Sequence, residues 1–450
     1  MEDQKKLNTF DVLMLLISGL LFADSIAANT SAGVQNLTWW VIIGLLYMIP
    51  TGFIIGELSS VYPDEGGIYV WIRAGLGSKV ASCTSWLFFC CGLFIPVATF
   101  IMCSDILYAI FLPQASYLVR VVTAIAMMWL MAAVSCLPMK DSKWITNLSG
   151  LIKLSFFLLA LVAGIVYLAK GNPIANDITP SSLIPSLGQG LTYLPVILYS
   201  CTGMELASAS AQQTKDPQRS LPRIIVIAAI MAVLLNIIAD AGMLMALPLE
   251  QIDLDLGLLD LISVAFGSEL LTKFASLAFV FAGFVQCVTW LVGANRGTAE
   301  SAKAGDLPAI FGCENRGGQP VGAILFTAAL GTGFLVLYAL LGSTASDLFF
   351  RLISCGVIAS VVPYVLMLFS YQRLKRAGKL SGSHFHTPGG YAFSWLCQFI
   401  QVFTLLLMIY IPTHGWNENV LTNLFGLLFM LGTALLLLRY THRHSKNCTR

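Results

Sequence analysis

Three ionisable residues stand where the chain is otherwise apolar. Asp24 lies in LLFADSIAANTSAG, Lys153 in SGLIKLSFF and Glu205 in YSCTGMELASAS. A charged side chain inside a membrane costs roughly 2.5 to 3.5 kcal/mol on insertion scales, so such residues usually have a function. A carboxylate there can attract an ammonium group or carry a proton, and a lysine needs a negative or polar partner. These residues predict a site that handles small charged ligands or protons.

The composition places these residues in a membrane. Of 450 residues, 57% are hydrophobic and 11% are charged, whereas soluble domains carry about 25% charged residues. The chain is therefore predicted to be a multi-pass integral membrane protein. Its formal net charge of +2 and its scattered basic residues argue against a nucleic-acid partner. We expect membrane lipid and a small molecule as partners, and no cofactor.

Windows of about 20 apolar residues predict twelve transmembrane helices. The predicted spans are 8–34, 38–60, 80–112, 118–137, 144–169, 188–210, 221–248, 267–304, 320–341, 346–372, 390–412 and 418–438. Most Lys and Arg residues fall in connections that are cytoplasmic if the N-terminus is inside, as the positive-inside rule requires. Both termini are therefore predicted to be cytoplasmic, with a basic tail at 439–450, and residues 1–450 form one transmembrane domain.

Small and polar residues interrupt the first and the sixth predicted spans, and they weaken a helix and free its backbone groups. The residues at these two interruptions are Ala23, Asp24, Ser25, Tyr199, Ser200, Thr202, Gly203 and Glu205. Interruptions at the start of each set of five spans are expected for inverted repeats with discontinuous helices. The repeats would then cover 8–170 and 188–372, and two additional helices would cover 390–438. Ordinary kinks in a packed bundle are the alternative.

Four local motifs, in the expected order, resemble those of the amino acid–polyamine–organocation (APC) transporters. They are YPDEGGIYVWIRAGLG after the second span, QQTKDPQRSLPR after the sixth, NRGTAESAKAGDLPAIFG after the eighth and HTPGGYAFSW at the start of the eleventh. The resemblance covers roughly residues 8–440. It implies an all-α, LeuT-like fold with a five-plus-five inverted repeat, broken helices 1 and 6, two additional helices and transport by alternating access.

In the first span, the resemblance aligns the family's glycine-serine-glycine motif with Ala23, Asp24 and Ser25. Both glycines are absent and the serine is an aspartate. An ionised aspartate would repel a substrate carboxylate by roughly 4 kcal/mol at 4 Å with an effective dielectric constant of 20, and would attract an ammonium equally. An amine without a free carboxylate is therefore the predicted substrate. Three alternatives stay open: an ion pair with Lys153, a protonated Asp24 that carries the proton for a zwitterionic amino acid, or a helix cap.

In the sixth span, the family's motif matches Tyr199, Ser200, Gly203 and Glu205, and Thr202 lies between them. The resemblance implies that Tyr199 is an aromatic gate over the substrate. It also implies that Glu205 senses protonation just inside the site. Together with the residues of the first interruption, this segment is predicted to form the substrate site.

Trp290 and Lys153 complete the predicted site. The resemblance aligns Trp290 with a tryptophan that stacks on the substrate in amine exchangers, and packing between helices is the alternative. Lys153 lies too deep in the fifth span for easy snorkelling to the cytoplasmic edge. It matches a lysine that takes the place of sodium in sodium-independent members of the family. The match implies coupling to protons or to exchange, and a snorkelling lysine is the alternative.

The sequence as a whole predicts a secondary transporter of amino acids or related amines in a bacterial inner membrane. A channel would show rings of like charge or repeated filter loops, and the sequence shows neither. A membrane enzyme or a non-transporting sensor would bring a catalytic constellation or a soluble domain. All five histidines fall in predicted loops or the tail, which argues against a metal site within the membrane. A monomer and a homodimer both stay open.

Overall fold

The computed structural model describes residues 7–186, 194, 196–341, 345–410 and 416–448. Helices dominate the described residues. The α-helices, numbered in chain order, are α1 (Thr9–Leu20), α2 (Ile26–Thr30), α3 (Asn36–Ile43), α4 (Ile49–Val61), α5 (Ile68–Leu76), α6 (Ser78–Phe111), α7 (Tyr117–Ser135), α8 (Met139–Ala169), α9 (Pro217–Ala246), α10 (Gly257–Phe266), α11 (Glu269–Lys303), α12 (Val321–Leu341), α13 (Ala345–Arg376), α14 (Gly390–Tyr410) and α15 (Trp416–Cys448). A π-helical turn at Gly44–Met48 joins α3 to α4, so the second span is continuous.

Eleven helices of the described residues are long and apolar enough to cross a membrane. They coincide with eleven of the twelve predicted spans. The remaining one, 188–210, falls partly on residues outside the described set. At the other end of the chain, α15 continues to Cys448, so much of the predicted basic tail extends the last helix. The limits of the two repeats stay predictions.

The first span is broken at the predicted position. The α-helix α1 ends at Leu20, and Leu21 and Phe22 have extended backbone angles. A 3-10 turn at Ala23–Ser25 then leads into the short helix α2. The last carbonyl groups of α1 have no partner in a following helical turn. The break therefore offers backbone acceptors to a group from elsewhere in the protein.

The sixth span is also broken where its small residues predict. Helical structure at 196–199 gives way to Gly203, which has a φ of 106°, and a 3-10 helix then covers Met204–Gln213. A Cβ atom at Gly203 would lie 3.2 Å from the Gly19 carbonyl oxygen and 3.3 Å from Cζ2 of Trp290. Glycine is required here, because another residue would be strained at this φ and crowded by the first span.

The predicted cytoplasmic end of α1 is anchored to its neighbours. Asp11 accepts hydrogen bonds from Lys143 and Asn147 of α8, each at 2.9 Å. The backbone N–H of Leu7 donates at 2.7 Å to the carbonyl of Gln213, at the end of the 3-10 helix that follows the second break. These contacts hold the beginning of the first span against helices that follow much later in the chain.

Candidate functional site

The two helix breaks meet, and we call residues 21–25 and 200–203 the break region. The hydroxyl oxygens of Ser25 and Ser200 lie 3.1 Å apart. Asn29, one turn further along α2, donates to Ser25 Oγ at 3.3 Å and to Ser200 Oγ at 3.2 Å. Its Oδ1 atom is buried without a hydrogen-bond partner. The predicted neighbours Ser25 and Ser200 are therefore in contact, and the polar group that joins them, Asn29, was not among the predicted site residues.

Other predicted residues of the break region are buried and engaged locally. Ala23 is buried in the 3-10 turn. The Thr202 hydroxyl donates to the Tyr199 carbonyl at 2.7 Å, and the Gly203 N–H donates to the Tyr364 hydroxyl at 2.8 Å. The single hydroxyl hydrogen of Thr202 is therefore used within its own break, although its oxygen can still accept a hydrogen bond.

Aromatic rings line one side of the break region. The Phe22 ring lies 4.9 Å from the Tyr199 ring and 6.0 Å from the Trp290 ring, measured between centroids. Trp290 also lies 5.8 Å from the Phe88 ring and donates from Nε1 to the Gly19 carbonyl at 2.9 Å. Phe22 thus separates the two predicted aromatic residues, and sequence reasoning did not find it. Trp290 is only 1% exposed, so it combines packing with a position at the break.

We expect Trp290→Leu to weaken amine binding about tenfold, because an aromatic face that attracts a cation contributes roughly 0.5 to 2 kcal/mol and 1.4 kcal/mol is tenfold. Trp86→Leu is the matched control, since Trp86 is also buried and donates from its indole nitrogen, to Thr433, at 3.0 Å. Equilibrium binding of labelled amine to both purified variants is the measurement. Unchanged affinity in Trp290→Leu with reduced expression would favour a packing role alone.

Lys153 is fully buried and turned towards the first break. Its amine donates to the Ser18 and Leu21 carbonyls, both at 2.6 Å, and to the side-chain oxygen of Gln286 on α11. Ser18 lies in the last turn of α1 and Leu21 directly follows the helix, at the end where the helix dipole places partial negative charge. This geometry is that of an internal cation rather than of a snorkelling side chain.

Asp24 projects from the 3-10 turn of the first break and is partly exposed. The Lys153 charge lies near enough to act on its carboxylate, but no ion pair within 4.0 Å joins the two described side chains. The Gln286 side chain and the backbone N–H of Asp24 itself also act on this carboxylate. A direct ion pair is therefore absent from the described structure, whereas the cap alternative stays a prediction. The partly exposed carboxylate can still meet another cation or a proton.

Glu205 lies on the other side of the second break and is buried. One carboxylate oxygen accepts from the Tyr364 hydroxyl of α13, and the other has no hydrogen-bond partner. Glu205 and Glu65 both line one small cavity. Glu65 is paired with the buried guanidinium of Arg296. Glu205 is therefore bonded to Tyr364 on α13, a helix that belongs to neither broken span. Sequence reasoning did not identify Tyr364.

Comparison with known proteins identifies related chains. A family profile described as Amino acid permease matches residues 7–436. A probable agmatine/putrescine antiporter of Lactococcus lactis is 26% identical over 412 residues, covering 91% of this chain and 86% of the relative. A glutamate/gamma-aminobutyrate antiporter of the same species is 21% identical, covering 96% of this chain and 90% of that relative.

Solved structures show the same fold. A manganese transporter of Eremococcus coleocola matches with a TM-score of 0.63 at 12% identity, covering 96% of this chain and 93% of that one. At 12% identity, this comparison shows a common fold and nothing more about this chain. The predicted all-helical, LeuT-like class is thereby confirmed. Within the part of the chain that the structure describes, no group of three or more His, Cys, Asp or Glu side chains is placed to hold a metal ion.

Proposed function

Because this chain belongs to the amino acid permease family, we propose that it exchanges small organic amines across the membrane without sodium. It is a multi-pass membrane transporter of amino acids or related amines. The non-transporting sensor, which was the alternative from another class, finds no support among these relatives. The proposal concerns the substrate class and the absence of a sodium requirement.

The partly exposed carboxylate of Asp24 carries the proposal. Lys153 donates to two backbone carbonyls and to Gln286, and no ion pair joins it to Asp24. A substrate ammonium in contact with Asp24 would therefore supply the direct ion pair that Lys153 does not form. The nearby rings of Phe22 and Tyr199 add faces that attract a cation. The name of the L. lactis agmatine/putrescine antiporter is consistent with this chemistry.

The lysine supports transport without sodium. A buried ammonium that already binds the carbonyls of the first break leaves no need for a metal cation at the same position. Exchange of one amine for another would then proceed by alternating access of the break region to the two sides. Glu205 and Tyr199 are assigned gating roles in this proposal, which rest on the family resemblance.

A second substrate class keeps one supporting observation. The glutamate/gamma-aminobutyrate antiporter shows that a relative at 21% identity is named for amino acids. In that case Asp24 would be protonated and would carry the proton for a zwitterionic amino acid. The two possibilities differ in whether decarboxylation of the substrate improves or abolishes binding.

The test is exchange in proteoliposomes that contain only this protein. Vesicles loaded with unlabelled putrescine should take up labelled putrescine or agmatine equally well in sodium and choline media. Ornithine and arginine, which differ from these two amines by a carboxyl group, serve as matched competitors and should compete poorly. A strict sodium requirement, or equal competition by the amino acids, would contradict the proposal.

A further inference from the structure

Another buried carboxylate, that of Asp240, lies away from the break region, near the predicted outer end of α9. Asp240 is 0% exposed. One of its oxygens lies 2.8 Å from the Thr30 hydroxyl at the end of α2, and the other accepts from the Asn36 amide at the start of α3. Asp240 therefore ties the outer half of the first span, and the turn into the second span, to α9.

Among the residues that the structure describes, no charged side chain forms an ion pair with this carboxylate. The elements packed against α9 are α1, α2, α3, the π turn, α4, α8, the 3-10 helix after the second break and α10. Their described titratable and charged side chains, with the cap of α8, are Asp11, Tyr47, Glu57, Lys143, Lys153, Tyr167, Lys170, Glu205 and Asp260. None of these side chains pairs with Asp240 in the described structure. An ionised Asp240 would be an unpaired buried charge, which proteins avoid by neutralising the group.

The number of hydrogens available around Thr30 also favours a protonated Asp240. Its hydroxyl oxygen lies 2.9 Å from the Ile26 carbonyl and 2.8 Å from an oxygen of Asp240. A threonine hydroxyl has one hydrogen, and an ionised carboxylate can only accept. With Asp240 ionised, one of the two short oxygen–oxygen contacts would therefore lack a hydrogen. With Asp240 protonated, the acid donates to Thr30, Thr30 donates to Ile26, and Asn36 donates to the second acid oxygen.

We propose that Asp240 is a proton-binding site that holds the outer half of the first span against α9. When the proton leaves, one contact of Thr30 loses its hydrogen and α2 is no longer tied as firmly. Asn29 precedes Thr30 in α2 and bonds to both serines of the break region, so release of α2 reaches the site directly. The link to amine exchange rests on the proposed function, whereas proton binding itself does not.

Exchange measured against external pH tests the link to transport. We expect wild-type exchange to slow in acid, where protonated Asp240 holds α2. The Asp240→Asn amide can donate from its NH2 group to Thr30 and accept from Asn36 at its oxygen at every pH. Exchange by this variant should therefore be slow at every pH, at the acid rate of the wild type. The matched control is Asp260→Asn, on the neighbouring helix α10, which should keep the wild-type profile. A wild-type rate independent of pH, or a wild-type profile in Asp240→Asn, would overturn the link.

Infrared difference spectroscopy of the purified protein tests the proton without any transport. The carbonyl-stretching band of a protonated carboxyl group should be present in the wild type and in Asp260→Asn, and absent in Asp240→Asn. Thr30→Val keeps the acid and removes its acceptor, so it should shift the same band even if Asp240→Asn does not fold. An unchanged spectrum in both variants would overturn the proton site. If the band behaves as expected but the protein exchanges no amine, proton binding at Asp240 is supported and the proposed substrate is rejected.

Discussion

Asp24→Asn is expected to abolish amine exchange while leaving the folded protein intact. The variant removes the charge but keeps the size of a partly exposed side chain that makes no direct ion pair with any described residue. Attraction between two unit charges 4 Å apart is about 4 kcal/mol at an effective dielectric constant of 20, so amine affinity should fall by up to about a thousandfold. Binding of labelled putrescine to purified protein measures this directly.

Asp24→Ser and a distant carboxylate complete the Asp24 experiment. Asp24→Ser restores the residue type of the family motif and should recover some binding of amino acids, but not of amines. Asp177→Asn, in an exposed loop, changes the same chemical group away from the site and should bind amines normally. The amine interpretation fails if amino acids bind the wild type as well as amines do, and if Asp24→Asn keeps amine affinity but loses the pH dependence of uptake. The proton-carrier interpretation would then replace it.

Lys153→Ala is expected to reduce exchange more than tenfold while substrate affinity stays within a factor of about three. The substitution leaves the carbonyls of Ser18 and Leu21 without their common donor. A buried group left unpaired costs about 1 to 3 kcal/mol, so the first break should lose the conformation that alternating access requires. Exchange rates in proteoliposomes and binding in detergent separate the two effects.

The control for Lys153 lies on the same helix. Lys170, at the end of α8, also donates to a backbone carbonyl, that of Ala265, at 2.6 Å, but it lies far from the break region along the helix. Lys170→Ala should exchange amines at close to the wild-type rate. Wild-type exchange in Lys153→Ala would show that the ammonium has no part in the transport cycle. Recovery of that variant by sodium would show that the ammonium stands in place of a metal cation.

The sequence by itself determined the class of the protein and the positions of the helix breaks. A membrane helix must be about 20 apolar residues long and must satisfy its own backbone hydrogen bonds. Both requirements are local, so composition and window length identified the eleven spans that the structure describes. The breaks at Asp24 and Gly203 are local as well, because small and polar residues at membrane depth weaken a helix wherever they stand. The order of the four motifs along the chain then indicated the transporter family.

Only the tertiary structure decided what the ionisable residues contact, because their partners come from distant parts of the chain. Lys153 binds carbonyls that are 135 and 132 residues away, and a backbone carbonyl leaves no mark in a sequence. Asp240 gave the same local signal as Asp24, an aspartate within an apolar run, yet sequence reasoning passed over it. Its partners Thr30 and Asn36 are 210 and 204 residues away. Packing of α9 against the first two spans brings these groups into contact. The contact matters because a buried carboxylate needs hydrogen-bond partners.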